Sequence, residues 1–266
     1  MNENLGTGKD FRNFAVKHKG INGTVVDDVI KHISKSASAG VSGLYTPSIV
    51  EEREMNMVVM SVFDRLMKDR LLWVSGEVND QMADIIQAQL LYLDSIEPLD
   101  ITMYLNTPGG GVGAGLSMVD TMDFIASDVA TTNLGMCASM GSVLLGAGTH
   151  GKRTGLITSK VMTHQVSYGA QGNIQDVRIT QREAEKLNYI LFRKLAGYTG
   201  QTLEEILAVS ERDNWLNSDE AVKFGIMDSV IGLTDEDGNR IKGVLSVTEQ
   251  LDGFDAYYDK ILKEQK

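Results

Sequence analysis

The feature that most limits how this chain can fold is an alternation. Short apolar runs of strand length are each followed by a longer stretch with apolar residues at three- and four-residue spacing. Leu71-Leu72-Trp73-Val74 precedes Met82, Ile85, Ile86, Leu90 and Leu93, the expected buried face of a helix that Asn79 or Asp80 can cap. A strand over 101–105, a glycine-rich turn, a helix to about residue 125, a strand over 129–134 and a helix opening at Ser139 follow. This pattern predicts an α/β architecture with crossover connections. Beyond a turn at 151–153, a strand is expected over 160–163, then a polar stretch over 167–173 and a long helix from about 174 to 198. That helix exceeds the usual globular length and is expected to project or to pack on another subunit. Shorter helices are expected near 202–210 and 218–224.

The ends read differently. Residues 1–47 are rich in Gly, Ser, Lys and Asn, hold one apolar cluster (Val25, Val26, Val29, Ile30), and are expected to be an irregular appended segment. Met55, Val58, Val59, Val62, Phe63 and Leu66 then predict an amphipathic helix over 51–70. After Thr234 an Asp-Glu-Asp-Gly turn and a charged helix from about Thr248 are expected.

Composition excludes several function classes. A net charge of −11 without any Lys/Arg run argues against nucleic acid and anionic membranes as main partners. Cys137 is the only cysteine, so an intramolecular disulfide, a Cys-rich zinc site and a redox Cys pair are ruled out, and a cytoplasmic setting fits. The first twenty residues lack an apolar core, and no apolar stretch approaches about 18 residues, so neither a secretory signal nor a membrane span is expected.

Chemistry concentrates at Gly135-Met136-Cys137-Ala138-Ser139-Met140-Gly141, a small-residue turn running into Val143-Leu144-Leu145. A serine at a helix start lies beside unpaired N–H groups, where it can serve as an N-cap or attack a carbonyl next to ready-made anion donors. Of the four histidines, His18 and His32 lie in the N-terminal segment and His150 in an exposed turn. His164 ends an apolar strand where it meets a loop, and is the best general base available. Asp213, before Trp215 in a charged turn, is a candidate to orient the imidazole, the neighbouring indole being expected to be at least partly buried. The loop Asn106-Thr107-Pro108-Gly109-Gly110-Gly111 can approach a ligand closely. Its Gly109-x-Gly111-x-x-Ala114 spacing meets a loose dinucleotide pattern, but it lies mid-chain behind Pro108, and no following acid singles itself out as a ribose partner. The alternative is an oxyanion donor with room for an extended peptide. An α/β-hydrolase is disfavoured, because Cys137 stands where its nucleophile turn needs glycine and the acid here follows the histidine.

Together these residues resemble the Clp protease proteolytic subunit (ClpP) family over about 47–232. The matching elements are Asn-Thr-Pro-Gly-Gly at 106–110, Asp120-Thr121-Met122 with Phe124-Ile125, Ala138-Ser139-Met140-Gly141, Gly151-Lys152-Arg153, Val161-Met162-x-His164-Gln165, Gly200-Gln201-Thr202 and Glu211-Arg212-Asp213. The resemblance implies a ClpP/crotonase-type fold of repeated ββα units with a projecting handle helix. It implies Ser139 as nucleophile, His164 as general base and acid, Asp213 as orienting carboxylate, and the Gly110 and Met140 N–H groups as oxyanion donors. It implies no metal and no organic cofactor. The stretch 165–173 is expected to form a strand beside the site, to which bound peptide adds. The implied activity is ATP-independent endopeptidase cleavage of unfolded polypeptides inside two stacked heptameric rings, homomeric or mixed with a paralogue. An AAA+ unfoldase of the ClpX, ClpA or ClpC kind would feed the chamber, docking near Tyr104 and Phe124. The expected organisation is a propeptide or axial loop over 1–47, a peptidase domain over 48–232 and an extension over 233–266. Where the family usually has proline and a glycine pair after His-Gln, this chain has Val166-Ser167-Tyr168-Gly169. That departure motivates a second hypothesis, a ring subunit that scaffolds a more active paralogue. A third, a crotonase-like acyl-CoA enzyme, has no need of the aligned triad.

Overall fold

The computed structural model describes residues 12, 16, 17, 23, 24, 26, 27, 48–53, 56–233, 239, 241–256 and 258. The chain divides into two compact units, Met1–Asp69 and Arg70–Lys266.

In the first unit the described residues before 48 are helical rather than irregular, and Arg12 pairs with Asp27. The rest of the segment 1–47, with His18 and His32, lies outside the described residues. The helix expected over 51–70 is a correction. Strands β1 (Ser48–Arg53) and β2 (Asn56–Ser61) form an antiparallel pair, and only α1 (Val62–Lys68) is helical. Met57-Val58-Val59-Met60 is a continuous apolar run with two β-branched residues, and a run this short fits a strand as well as a helix turn. Ser61 then caps α1 through a capping box with Asp64.

The second unit follows the α/β expectation. Strand β3 (Leu71–Ser75) leads to α2 (Asp80–Ile96), whose cap is Asn79, its side-chain oxygen accepting from the Met82 N–H. Ala83, Ile86, Leu90 and Leu93 form the buried face, whereas Ile85 faces outward. Strand β4 (Ile101–Thr107), α3 (Val112–Phe124), β5 (Val129–Ala138) and α4 (Met140–Gly146) come next. Then follow β6 (Arg153–Leu156), β7 (Lys160–Thr163), α5 (Ile174–Thr199), α6 (Leu203–Val209), β8 (Asn214–Asn217), α7 (Ser218–Phe224) and β9 (Ser229–Ile231). Asn217 is the cap of α7, its N–H donating to the Glu220 carboxylate at 2.7 Å. The main sheet runs β3-β4-β5-β6-β9 with all neighbours parallel, and β7 pairs parallel with β5 and antiparallel with β8.

Strand β5 is longer than its expected extent because it serves two neighbours. Its Thr131–Asn133 half pairs with β6 and its Met136–Ala138 half with β7. Between the pairs Leu105↔Asn133 and Thr107↔Cys137, β5 advances four residues while β4 advances two. Asparagine side chains take up the interrupted ladder. Asn133, fully buried, accepts from the Gly135 N–H and donates to the Lys160 carbonyl, and Asn106 accepts from the Met136 N–H.

The first ten residues of the long helix α5 bury no side chain; burial begins at Ala184 and continues through Leu191, Phe192 and Leu195. Its projecting start fits the expected handle. The stretch 165–173 carries no strand, another correction: the Val166 N–H is bound by the Asn188 side chain on α5 instead of by a strand neighbour. The acidic turn after Thr234 lies outside the described residues. The helix α8 (Val247–Gln250) stops at a turn over 251–253, where Gly253 has φ of 79°, and residues 254–256 are again helical.

One ion pair ties β6 to the residue before β9, and its arginine also binds α5. Arg153, at the start of β6, is fully buried; its Nη2 donates to Asp228 at 2.6 Å, its Nε at 3.0 Å, and its Nη1 to the Tyr198 carbonyl on α5 at 2.8 Å. Burial of Asp228 opposes its ionisation, but the hydrogen bonds from the Arg153 side chain and backbone outweigh it and hold the carboxyl below its ordinary range. The resulting stability is fully present above the ordinary carboxyl pKa of about 3.9 and is lost as pH falls through the lower folded-state value. Arg153→Met, which strands Asp228, is expected to cost about 3–5 kcal/mol in urea unfolding at neutral pH, with the deficit shrinking as the pH falls below that range. A pH-independent deficit would contradict this role.

Candidate active site

Ser139 sits at the junction of β5 and α4 with φ 54° and ψ −122°. A non-glycine residue there is strained by about 1–3 kcal/mol and persists only where its surroundings dictate it. Its N–H donates to the Met162 carbonyl on β7 at 2.8 Å, and its carbonyl accepts from the Ser142 N–H at 2.9 Å and the Ser142 hydroxyl at 2.6 Å. Its own side chain caps nothing, which leaves the hydroxyl free of helix duty.

The hydroxyl instead meets His164. Ser139 Oγ lies 2.8 Å from His164 Nε2, and His164 Nδ1 lies 3.1 Å from Asp213 Oδ1. A carboxylate only accepts, so Nδ1 carries the proton and Nε2 is left to accept from the serine. The three residues expected to act together are therefore joined in one hydrogen-bonded line. The His164 side chain is 24% exposed and that of Asp213 60%, so the line runs from the interior to the surface. Trp215 is half-buried, with 49% of its surface exposed. His150 stands apart, in the exposed turn expected of it, near Asp228.

The glycine loop packs against the serine. A Cβ on Gly109, whose φ is +88°, would lie 2.5 Å from the Ala138 carbonyl and 2.7 Å from Ser139 Cβ. Gly110, with φ of +150°, pairs with Val78 in a parallel bridge so close that a Cβ would strike the Val78 carbonyl. Among the described residues no hydrogen-bond partner occupies the Gly110 or the Met140 N–H. Thr107, fully buried, was not singled out by the sequence patterns. Its hydroxyl donates to the Gly76 carbonyl at 2.5 Å and accepts from the Gly109 N–H at 3.0 Å, fixing the loop. A threonine immediately before Pro-Gly-Gly is a turn-forming signal that points to it.

Cys137, two residues before the serine, is fully buried, and burial pushes its thiol well above its ordinary range. It has no part in nucleophilic chemistry.

A family model described as Clp protease matches residues 53–234. The chain belongs to the Clp protease family. A relative from Bacteroides fragilis (strain YCH46), an "ATP-dependent Clp protease proteolytic subunit", is 47% identical over 223 residues, covering 84% of this chain and 98% of the relative. A subunit of the same name from Bacteroides thetaiotaomicron is also 47% identical, with the same coverage. A third, from Porphyromonas gingivalis, is 42% identical over 84% of this chain and 97% of its own length. Membership of this family of serine peptidases agrees with the α/β sheet.

Two outcomes follow. Gly109→Ala must displace the loop from Ser139 and is expected to lower peptide hydrolysis by about tenfold or more, with unchanged circular dichroism; an unchanged rate would contradict the packing. Iodoacetamide is expected to leave native Cys137 unmodified by mass spectrometry and to alkylate it after unfolding in urea; rapid alkylation of the native protein would contradict its burial.

Proposed function

We propose that this chain is an endopeptidase subunit that cleaves unfolded polypeptides, with Ser139 as nucleophile, His164 as general base and acid, and Asp213 as the orienting carboxylate. The observation that carries the reading is the hydrogen-bonded line from Ser139 Oγ through His164 to Asp213. Nε2 takes the serine proton as Oγ attacks the peptide carbonyl carbon. The oxyanion so formed accepts from the Gly110 and Met140 N–H groups. The imidazolium then gives its proton to the leaving amine, the C–N bond breaks, and an acyl-enzyme remains. Water, deprotonated by the same imidazole, releases the acid and restores Ser139. Asp213 stabilises the imidazolium without taking its proton. No step needs a metal or an organic cofactor.

The glycine loop supports the peptidase over the nucleotide reading, because Gly109 abuts the nucleophile. The departure Val166-Ser167-Tyr168 leaves the imidazole–hydroxyl contact at 2.8 Å, so it does not favour a scaffold. We further infer a peptidase domain over 48–232 flanked by an N-terminal segment and a C-terminal extension, assembled as two stacked heptameric rings, homomeric or shared with a paralogue. The relatives' "ATP-dependent" name supports pairing with an AAA+ unfoldase of the ClpX, ClpA or ClpC kind, since the hydrolytic chemistry above uses no ATP. Phe124, 80% exposed at the end of α3, and Tyr104, tilted against Trp73, are the aromatic groups offered for docking. No helix among the described residues is long and apolar enough to cross a membrane, which is compatible with a cytoplasmic setting.

Ser139→Ala is expected to abolish cleavage of a short fluorogenic peptide while native mass spectrometry shows the same assembly as the wild type. Hydrolysis at the wild-type rate would overturn the mechanism.

A further inference from the structure

The antiparallel ladder between β7 and β8 ends on the pair Thr163↔Asn214. The next residues outward are His164 and Asp213, so the couple occupies the first position beyond the ladder. Its spacing therefore depends on how the two strand ends are held. Asp213 needs such help: its side chain is 60% exposed, and among the described residues its one hydrogen bond is to His164.

The hold comes from side chains. Ser210 Oγ donates to Thr163 Oγ1 at 3.2 Å, and Asn214 Nδ2 donates to the same oxygen at 3.3 Å. On the other side of the histidine, Gln165 Nε2 donates to the Glu211 carbonyl at 3.1 Å. Thr163 and Ser210 are fully buried, where a hydroxyl costs stability unless it is paired. The two preceding residues of β7, Val161 and Met162, are apolar and buried. A hydroxyl at 163 thus contributes nothing to packing that a valine would not. What it adds is an acceptor shared by residues on both sides of Asp213.

We propose that Thr163, Ser210 and Asn214 form a clasp that sets the distance between Asp213 and His164. They are positioning residues that act through Asp213, not on substrate. This rests on the assignment of Ser139, His164 and Asp213 above. Thr163 Oγ1 is the shared atom, so Thr163→Val opens the clasp while conserving volume, and Thr163→Ser keeps it.

The test is steady-state hydrolysis of a fluorogenic peptide by the full-length assembled protein. Thr163→Val is expected to lower kcat about tenfold with KM unchanged within about twofold, since it loosens geometry rather than binding. Thr163→Ser is expected to recover most of that loss. In an Asp213→Ala background, itself slowed about a hundredfold or more, Thr163→Val is expected to cost nothing further, because the two act as a unit. Should Thr163→Val fail to assemble, Asn214→Ala removes one donor only, and its loss must likewise vanish without Asp213. Equal losses with and without Asp213, a change confined to KM, or full activity of Thr163→Val overturns the clasp. Full activity of Thr163→Val beside an inactive Ser139→Ala would overturn the clasp alone, whereas an active Ser139→Ala would overturn the triad assignment with it.

Discussion

The site depends on strand β5 being held by two different neighbours at once. Its first half is fixed to β6 and its second half to β7, and the change of partner occurs at the four-against-two step opposite β4. A regular strand could not do this, because its N–H and C=O groups would be stranded at the fork. Asn133 and Asn106 accept the orphaned N–H groups, and Asn133 also reaches the Lys160 carbonyl, so the fork is stitched by side chains. The consequence is direct. The end of β5 carries Ser139 and lies beside the end of β7, which carries His164.

Strain at Ser139 belongs to the same arrangement. The turn from strand to helix requires a backbone conformation that a serine resists, and it is held by the Met162 carbonyl, by Ser142 and by the close approach of Gly109. The glycine loop is held in turn by Thr107 and by its bridge to Val78. Ser139, His164 and Gly109 are thus presented by neighbouring strand ends and the loop after β4 rather than by one continuous motif. Away from the site, Arg153 and Asp228 bind β6 to the segment before β9 and to α5, so the sheet that carries these ends is itself anchored.

Much of this was legible in the sequence where the signal is local. Leu71–Ser75 and Lys160–Thr163 are short apolar strands bounded by turns, and Asn79 is a cap before an apolar period. The long helix over Ile174–Thr199 announced itself through the helical spacing of its apolar residues, among them Val177, Ala184, Leu187, Leu191 and Leu195. The joining of Ser139, His164 and Asp213 was legible only through family motifs, since each residue taken alone reads equally well as a cap, a core histidine or a surface acid. The β1–β2 pair was missed because apolar residues over 55–66 satisfy helical spacing, while the choice between helix and strand is made by pairing between Ser48–Arg53 and Asn56–Ser61. The fork in β5 and the hydroxyl of Thr163 are non-local features, and no spacing rule within either strand reveals them.

In the proposed mechanism three side chains from separate strand ends make one hydroxyl nucleophilic. The most direct measurement is intact-protein and peptide mass spectrometry after exposure of the assembled protein to a fluorophosphonate. A single adduct on Ser139, lost in His164→Ala, is the result this account predicts. Labelling at the same rate without His164, or no adduct on Ser139 in a fully assembled particle, would contradict it.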